Sequence, residues 1–162
     1  MFLSGENIHM NKLRNPCVIF DLDGTLCNVK HRQQFIATHP RNWDAWNAGI
    51  LQDSMNVPVG IVFKSLKTTY SKLKTIILTG RTDNYKDETE LWLNKNAIQY
   101  DELYMRKHDD RRDDSVVKGE VVDFLEKKYN ILCVFEDRKR VVDMWVKRGI
   151  WVFDCGQTRG DF

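Results

Sequence analysis

Residues 17–26 read Cys17-Val18-Ile19-Phe20-Asp21-Leu22-Asp23-Gly24-Thr25-Leu26, an apolar run that stops abruptly at two carboxylates, a glycine and a threonine. Val18, Ile19 and Phe20 suit a strand buried on both faces. Asp21 and Asp23 do not, unless something cationic compensates them. Gly24 lets the chain turn sharply away from the sheet. The stretch describes a core strand that delivers two carboxylates to its C-terminal edge, where open α/β sheets bind ligands.

Outward from this stretch, apolar runs predict strands near residues 16–21, 75–79, 101–105, 131–135 and 149–153. Helical periodicity fills the gaps. Val59, Val62, Phe63, Leu66, Tyr70 and Leu73 share one face ahead of Thr75-Ile76-Ile77-Leu78, as do Val117, Val121, Leu125 and Tyr129 ahead of Ile131–Phe135. Strands separated by helices imply parallel pairing and right-handed crossovers. The expected fold is a Rossmann-like three-layer α/β/α sandwich with a parallel central sheet. Residues 28–58 break the alternation; with His31, Arg32, Phe35, Trp43, Trp46 and Asp53 they read as a small helical insertion over the site. Trp43 and Trp46 either pack this insertion onto the domain or offer their rings to unstacked bases.

The 162 residues fit a single domain, 1–162, with a real core. A hydrophobic share of 42% and a charged share of 30% are those of a soluble globular chain. With a net charge of only +2, affinity for nucleic acid has to come from local clusters. Membrane insertion is not expected, because no apolar stretch approaches the ~20 residues needed. Met1–Glu6 do not read as a secretory signal, and Met10 is a possible alternative start. Cys17, Cys27, Cys133 and Cys155 lack metal-ligand spacing and are expected as reduced thiols in a cytoplasmic protein.

Further along, Leu78-Thr79-Gly80-Arg81 ends a strand with a hydroxyl that can donate to a phosphate oxygen and a guanidinium that can grip it bidentately. Lys118 opens the helix 117–128, in apolar surroundings that call for an anionic partner. Val134-Phe135-Glu136-Asp137-Arg138 is a second buried strand ending in acids. D-x-D-G-T at Asp21–Thr25, then Thr79, Lys118 and the acid pair, in that order, resemble the haloacid dehalogenase superfamily.

The resemblance implies that Asp21 is a nucleophile forming an aspartyl-phosphate, and Asp23 the general acid/base. Thr79 and Lys118 would hold the phosphate. Magnesium would be ligated by Asp21, the Asp23 carbonyl, Asp137 and Glu136, the last one methylene longer than the aspartate of the family pattern. Met105-Arg106, Asp110, Arg112, Asp114, Val117-Lys118 and the stretch Glu136–Phe162, with Gly160-Asp161-Phe162 at its end, narrow the likeness. They resemble the 3′-phosphatase half of phage-type polynucleotide kinase-phosphatase. The kinase half has no counterpart, since no G-x4-G-K-[ST] loop occurs in the sequence.

That family implies substrate-binding roles for Arg32, Arg81 and Asp114, with Gly80, Arg106 and Arg112 beside them. The implied substrate is a phosphate monoester at the 3′ end of DNA or RNA. Free nucleotides, another small phosphomonoester, or simple binding of a phosphorylated end remain alternatives.

Overall fold

A computed structural model describes residues 14–156; the readings placed on residues 1–6, Met10 and 160–162 lie outside that span. Along the chain the elements are β1 (Asn15–Phe20), β2 (Cys27–Asn28), α1 (Trp43–Ala48), β3 (Ser54–Met55), α2 (Val57–Thr69), β4 (Lys74–Thr82), α3 (Lys86–Lys95), β5 (Glu102–Arg106), α4 (Asp114–Lys128), β6 (Tyr129–Glu136), α5 (Lys139–Lys147) and β7 (Trp151–Asp154). Five strands form one sheet in the order β5-β4-β1-β6-β7, and every pair in it is parallel. The expected α/β/α architecture is therefore the observed one.

Alternation along the strands explains the two cores. On one face Val18, Phe20 and Ile77 meet Phe63 of α2 with Trp92 and Leu93 of α3. On the other, Cys17, Ile19, Ile76 and Leu78 meet Val122 and Leu125 of α4 with Val141 and Trp145 of α5. The Phe20 ring stacks on Phe135 of β6 at 4.4 Å. Each large apolar side chain buried in this way contributes about 1.5–3 kcal/mol, which offsets the cost of carrying Asp21 inside. β1 lies between β4 and β6, and the chain crosses over it between β5 and β6. The C-terminal ends of β1 and β6 thus flank the topological switch point, where such sheets open a crevice.

Three boundaries differ from the sequence reading. β4 continues to Thr82 rather than stopping at 79, because its register shifts between Thr79 and Thr82 and leaves Gly80-Arg81 as a bulge. α4 begins at Asp114, where the Asp113 side chain accepts the Ser115 amide at 2.9 Å. Lys118 consequently sits in the second turn rather than opening the helix. The segment 28–58 is less helical than expected: besides 3-10 turns and the six-residue α1 it holds β3, which pairs antiparallel with β2. Asn56 ties this segment to the loop after β1, its side-chain amide donating to the Thr25 carbonyl at 2.8 Å. All four cysteines are free. Among the described residues no helix is long and apolar enough to cross a membrane.

Candidate active site

Asp21 follows directly on β1, its amide bonded to the Phe135 carbonyl at 3.0 Å, and is 5% exposed. One turn inside α4, Lys118 reaches it: Nζ lies 2.8 Å from Asp21 Oδ1 and 2.8 Å from Glu136 Oε2. Burial would lower Lys118, but the Asp21, Glu136 and Asp114 carboxylates outweigh it and keep the ammonium charged. Burial pushes the Asp21 carboxyl up, Lys118 draws it back, and Glu136 pushes it up again.

Asp137 stands beside them. A Cβ at Gly24 would lie 2.0 Å from Asp137 Oδ2, and Gly24 has φ of 89°; only glycine permits this turn and this approach. Asp137 accepts a long bond of 3.4 Å from Thr25 Oγ1. Burial and the nearby Asp21 charge push its carboxyl up to about 7. Oxygens of Asp21, Glu136 and Asp137 lie within 4.8 Å of one another. A cluster of hard oxygen donors whose mutual repulsion is only partly relieved fits a divalent cation such as magnesium. Glu136 has both oxygens engaged, one by Lys118 and the other by the Arg138 amide at 3.2 Å.

Asp23 is gripped by two guanidinium groups. Arg32 Nη2 lies 2.6 Å from its Oδ1, and Arg81 Nη2 lies 2.5 Å from the same atom. Burial would raise Asp23, but Arg81 and Arg32 outweigh it and hold the carboxyl well below the usual range. Arg32 is wholly buried and stacks on the Trp46 ring at 4.1 Å. It lies in the wall against Asp23, whereas the sequence suggests an arm reaching over the phosphate. The Arg81 side of this clamp comes from the β4 bulge.

Asp53 is the functional candidate to which the sequence reading assigned no role. Its side chain is fully buried; Oδ2 lies 2.5 Å from Arg32 Nη2 and 2.9 Å from Arg81 Nη2, while His31 Nε2 lies 2.9 Å from Oδ1. The signal available was charge balance. Two buried arginines need more than one carboxylate.

Asp114 opens α4 and gathers a second cationic group: Arg106 Nη2 at 2.9 Å, Arg138 Nη1 at 3.2 Å and Lys118 Nζ at 3.6 Å. Gly80 makes room for it, since a Cβ there would stand 2.7 Å from Asp114 Oδ1. Thr79 is buried and its Oγ1 accepts the Arg81 amide at 3.2 Å, which leaves its hydroxyl proton for another acceptor. Arg112 lines the same cavity as Asp21 at its rim, its guanidinium tied to Asp110 and Glu120 at 2.7 and 2.6 Å. Arg138, which follows the acid pair in the sequence and was given no role there, touches the site through Asp114. A cavity of about 550 Å³ joins Asp21, Asp23, Thr79, Arg81, Asp114 and Glu136.

The doubly wound parallel sheet is the architecture of the haloacid dehalogenase class, and the fold is shared widely. The class C acid phosphatase from Bacillus anthracis superposes with a TM-score of 0.67 at 13% identity, over 95% of this chain and 72% of that one. The chain belongs to the family described as the polynucleotide kinase PNKP phosphatase domain, whose model matches residues 15–162, and it is thereby a phosphoric monoester hydrolase. A chain of the Pnkp1/Rnl/Hen1 complex has a TM-score of 0.72 and 36% identity, covering 88% of this chain and 46% of that one. A protein of Autographa californica nuclear polyhedrosis virus, named for bifunctional polynucleotide kinase/RNA ligase activity, is 29% identical over 130 residues. That match covers 79% of this chain and 17% of the viral protein. The chain thus spans less than half the length of these two relatives.

Proposed function

We propose that this chain removes 3′-phosphates from nucleic-acid ends by a magnesium-dependent reaction through an aspartyl-phosphate on Asp21. The observation that carries the reading is the buried Asp21 carboxylate at the switch point, held on one oxygen by Lys118 with Asp137 alongside. In this reading residues 28–58 form a small cap over the site of a single domain. Four free cysteines suit a cytoplasmic protein.

Asp21 attacks phosphorus, the P–O ester bond breaks, and the departing 3′ oxygen takes its proton from Asp23. Asp23 then removes a proton from water, the water oxygen attacks phosphorus, the Asp21–phosphorus bond breaks, and inorganic phosphate leaves. Lys118 and the Thr79 hydroxyl hold the phosphoryl oxygens. Asp21, the Asp23 carbonyl and Asp137 would hold the magnesium ion, which when bound supplies charge neutralisation between two anions. Glu136, with both oxygens engaged, orients Lys118. Arg32 and Arg81 keep Asp23 in its base form. The proton that Asp23 gives up in the first step arrives with the substrate as a phosphate monoanion, whose P–OH passes it to Asp23 as the monoester binds.

The test is phosphate release from a panel: 3′- and 5′-phosphorylated oligonucleotides, 3′-mononucleotides and an aryl phosphate, each with magnesium or with EDTA. Release from the 3′-phosphorylated oligonucleotide, abolished by EDTA, is expected. Faster release from mononucleotides would favour a free-nucleotide phosphatase. Binding without release from any substrate would favour a phosphate-end binding module, although a pure binder gains nothing from carboxylates facing an anion.

A further inference from the structure

The two tryptophans of the insertion have different fates. Trp46 is 5% exposed, belongs to the core and carries the Arg32 guanidinium on its ring. Trp43 is 45% exposed, and neither core cluster includes it. It nevertheless lines the cavity whose buried end is Asp21 and Thr79. The Arg41 guanidinium lies 5.8 Å from the Trp43 ring, at the limit of a cation–π contact. Arg41 Nε is buried without a hydrogen-bond partner in the structure. Tyr85, from the turn after β4, lines the cavity as well.

Packing accounts for Trp46 and not for Trp43. A half-exposed indole beside a guanidinium, opening on the same cavity as a phosphate-binding centre, offers an unstacked base a flat apolar surface and a cationic edge. We infer that Trp43, backed by Arg41, is the stacking surface for the base of the nucleotide whose 3′-phosphate enters the site. The ligand is then the 3′-terminal nucleotide of a strand, whose base has one face not covered by a following base. The inference rests on the 3′-phosphatase reading and assigns a subsite to it.

The probe is a pair of 3′-phosphorylated oligonucleotides, identical except that one is abasic at the terminal residue. Rates are compared in the unsubstituted protein, Trp43→Ala and Trp43→Phe. Affinities are compared for the same three in an Asp21→Asn background, by fluorescence anisotropy of a 5′ label. In the unsubstituted protein the intact base should be favoured by about 5- to 150-fold, the range for one stacked base. Trp43→Ala should bring that ratio close to one, and Trp43→Phe should retain most of it. Reading a ratio cancels any general loss of folding or catalysis. A ratio near one in the unsubstituted protein, or a ratio unchanged in Trp43→Ala, overturns the inference. If both oligonucleotides are dephosphorylated at equal rates, the subsite fails and the phosphatase reading stands. If neither is dephosphorylated but the affinity ratio falls in Trp43→Ala, the subsite stands and the phosphatase reading fails.

Discussion

Lys118 is the residue on which the ionisation of Asp21 depends, because burial alone would keep that carboxyl protonated and useless as a nucleophile. The acids around it have separable tasks. Asp137→Asn should weaken magnesium binding, measured by titration calorimetry, far more than Glu136→Gln does. Glu136→Gln should mainly lower kcat, since it loosens Lys118; the reverse order of magnesium affinities would show the two acids to be exchanged. Asp53→Asn should leave Arg32 and Arg81 under-compensated in a buried site. Breaking such a buried network costs about 3–5 kcal/mol, so urea unfolding should show a marked loss of stability, and kcat/KM should fall with it. Stability within 1 kcal/mol of the parent would contradict this role. Asp21, Asp23, Thr79, Lys118 and the acid pair were legible because each stands at a strand end or near a helix start in a fixed order. Asp53 was not, because its partners Arg32 and Arg81 come from a 3-10 turn and a strand bulge that no periodicity marks.

The elements themselves position the site through their ends. Asp113 caps α4, which carries both Asp114 and Lys118; Asp113→Ala should cost about 1 kcal/mol of stability, read as a lower urea midpoint at unchanged slope. At the opposite end of the sheet Asp101 joins α2, β4 and β5, with Lys67 Nζ at 2.5 Å, Lys74 Nζ at 3.1 Å and the Thr75 amide at 2.9 Å. Burial would raise Asp101, but Lys67, the Thr75 amide and Lys74 outweigh it and hold the carboxyl well below its ordinary value. A folded-state value below the unfolded one, about 3.9, stabilises the protein above that pH and loses the contribution as pH falls through the folded value. The stability gap between the parent and Asp101→Asn should therefore be widest near neutrality and shrink below about pH 4; a gap that does not depend on pH would contradict the assignment. Strand cores such as Val18–Phe20 were legible as apolar runs. The continuation of β4 through Gly80-Arg81-Thr82 was not, because its residues are polar where the bulge turns them toward the site. The start of α4 was likewise hidden, set by the Asp113 cap rather than by the apolar period that begins at Val117.

For the whole molecule, a net charge of +2 supplies no general field toward nucleic acid. Any preference for a strand over a mononucleotide must come from the arginines around the cavity, among them Arg106, Arg138 and Arg140. Each strand phosphate they neutralise adds a salt-sensitive increment to affinity. The kcat/KM for a short 3′-phosphorylated oligonucleotide should exceed that for a 3′-mononucleotide at low salt, and the advantage should shrink as salt rises. Equal efficiency at low salt would point to free nucleotides as the substrate. The nucleophilic role of Asp21 is tested most directly by mixing the protein and magnesium with an oligonucleotide carrying a radiolabelled 3′-phosphate, quenching in acid within one turnover, and mapping the labelled peptide. Label should appear on the peptide containing Asp21, and Asp21→Asn should carry none while losing more than about 1000-fold in turnover, roughly 4 kcal/mol of barrier. Label on any other residue, or Asp21→Asn retaining a tenth of the activity, would remove Asp21 from that role.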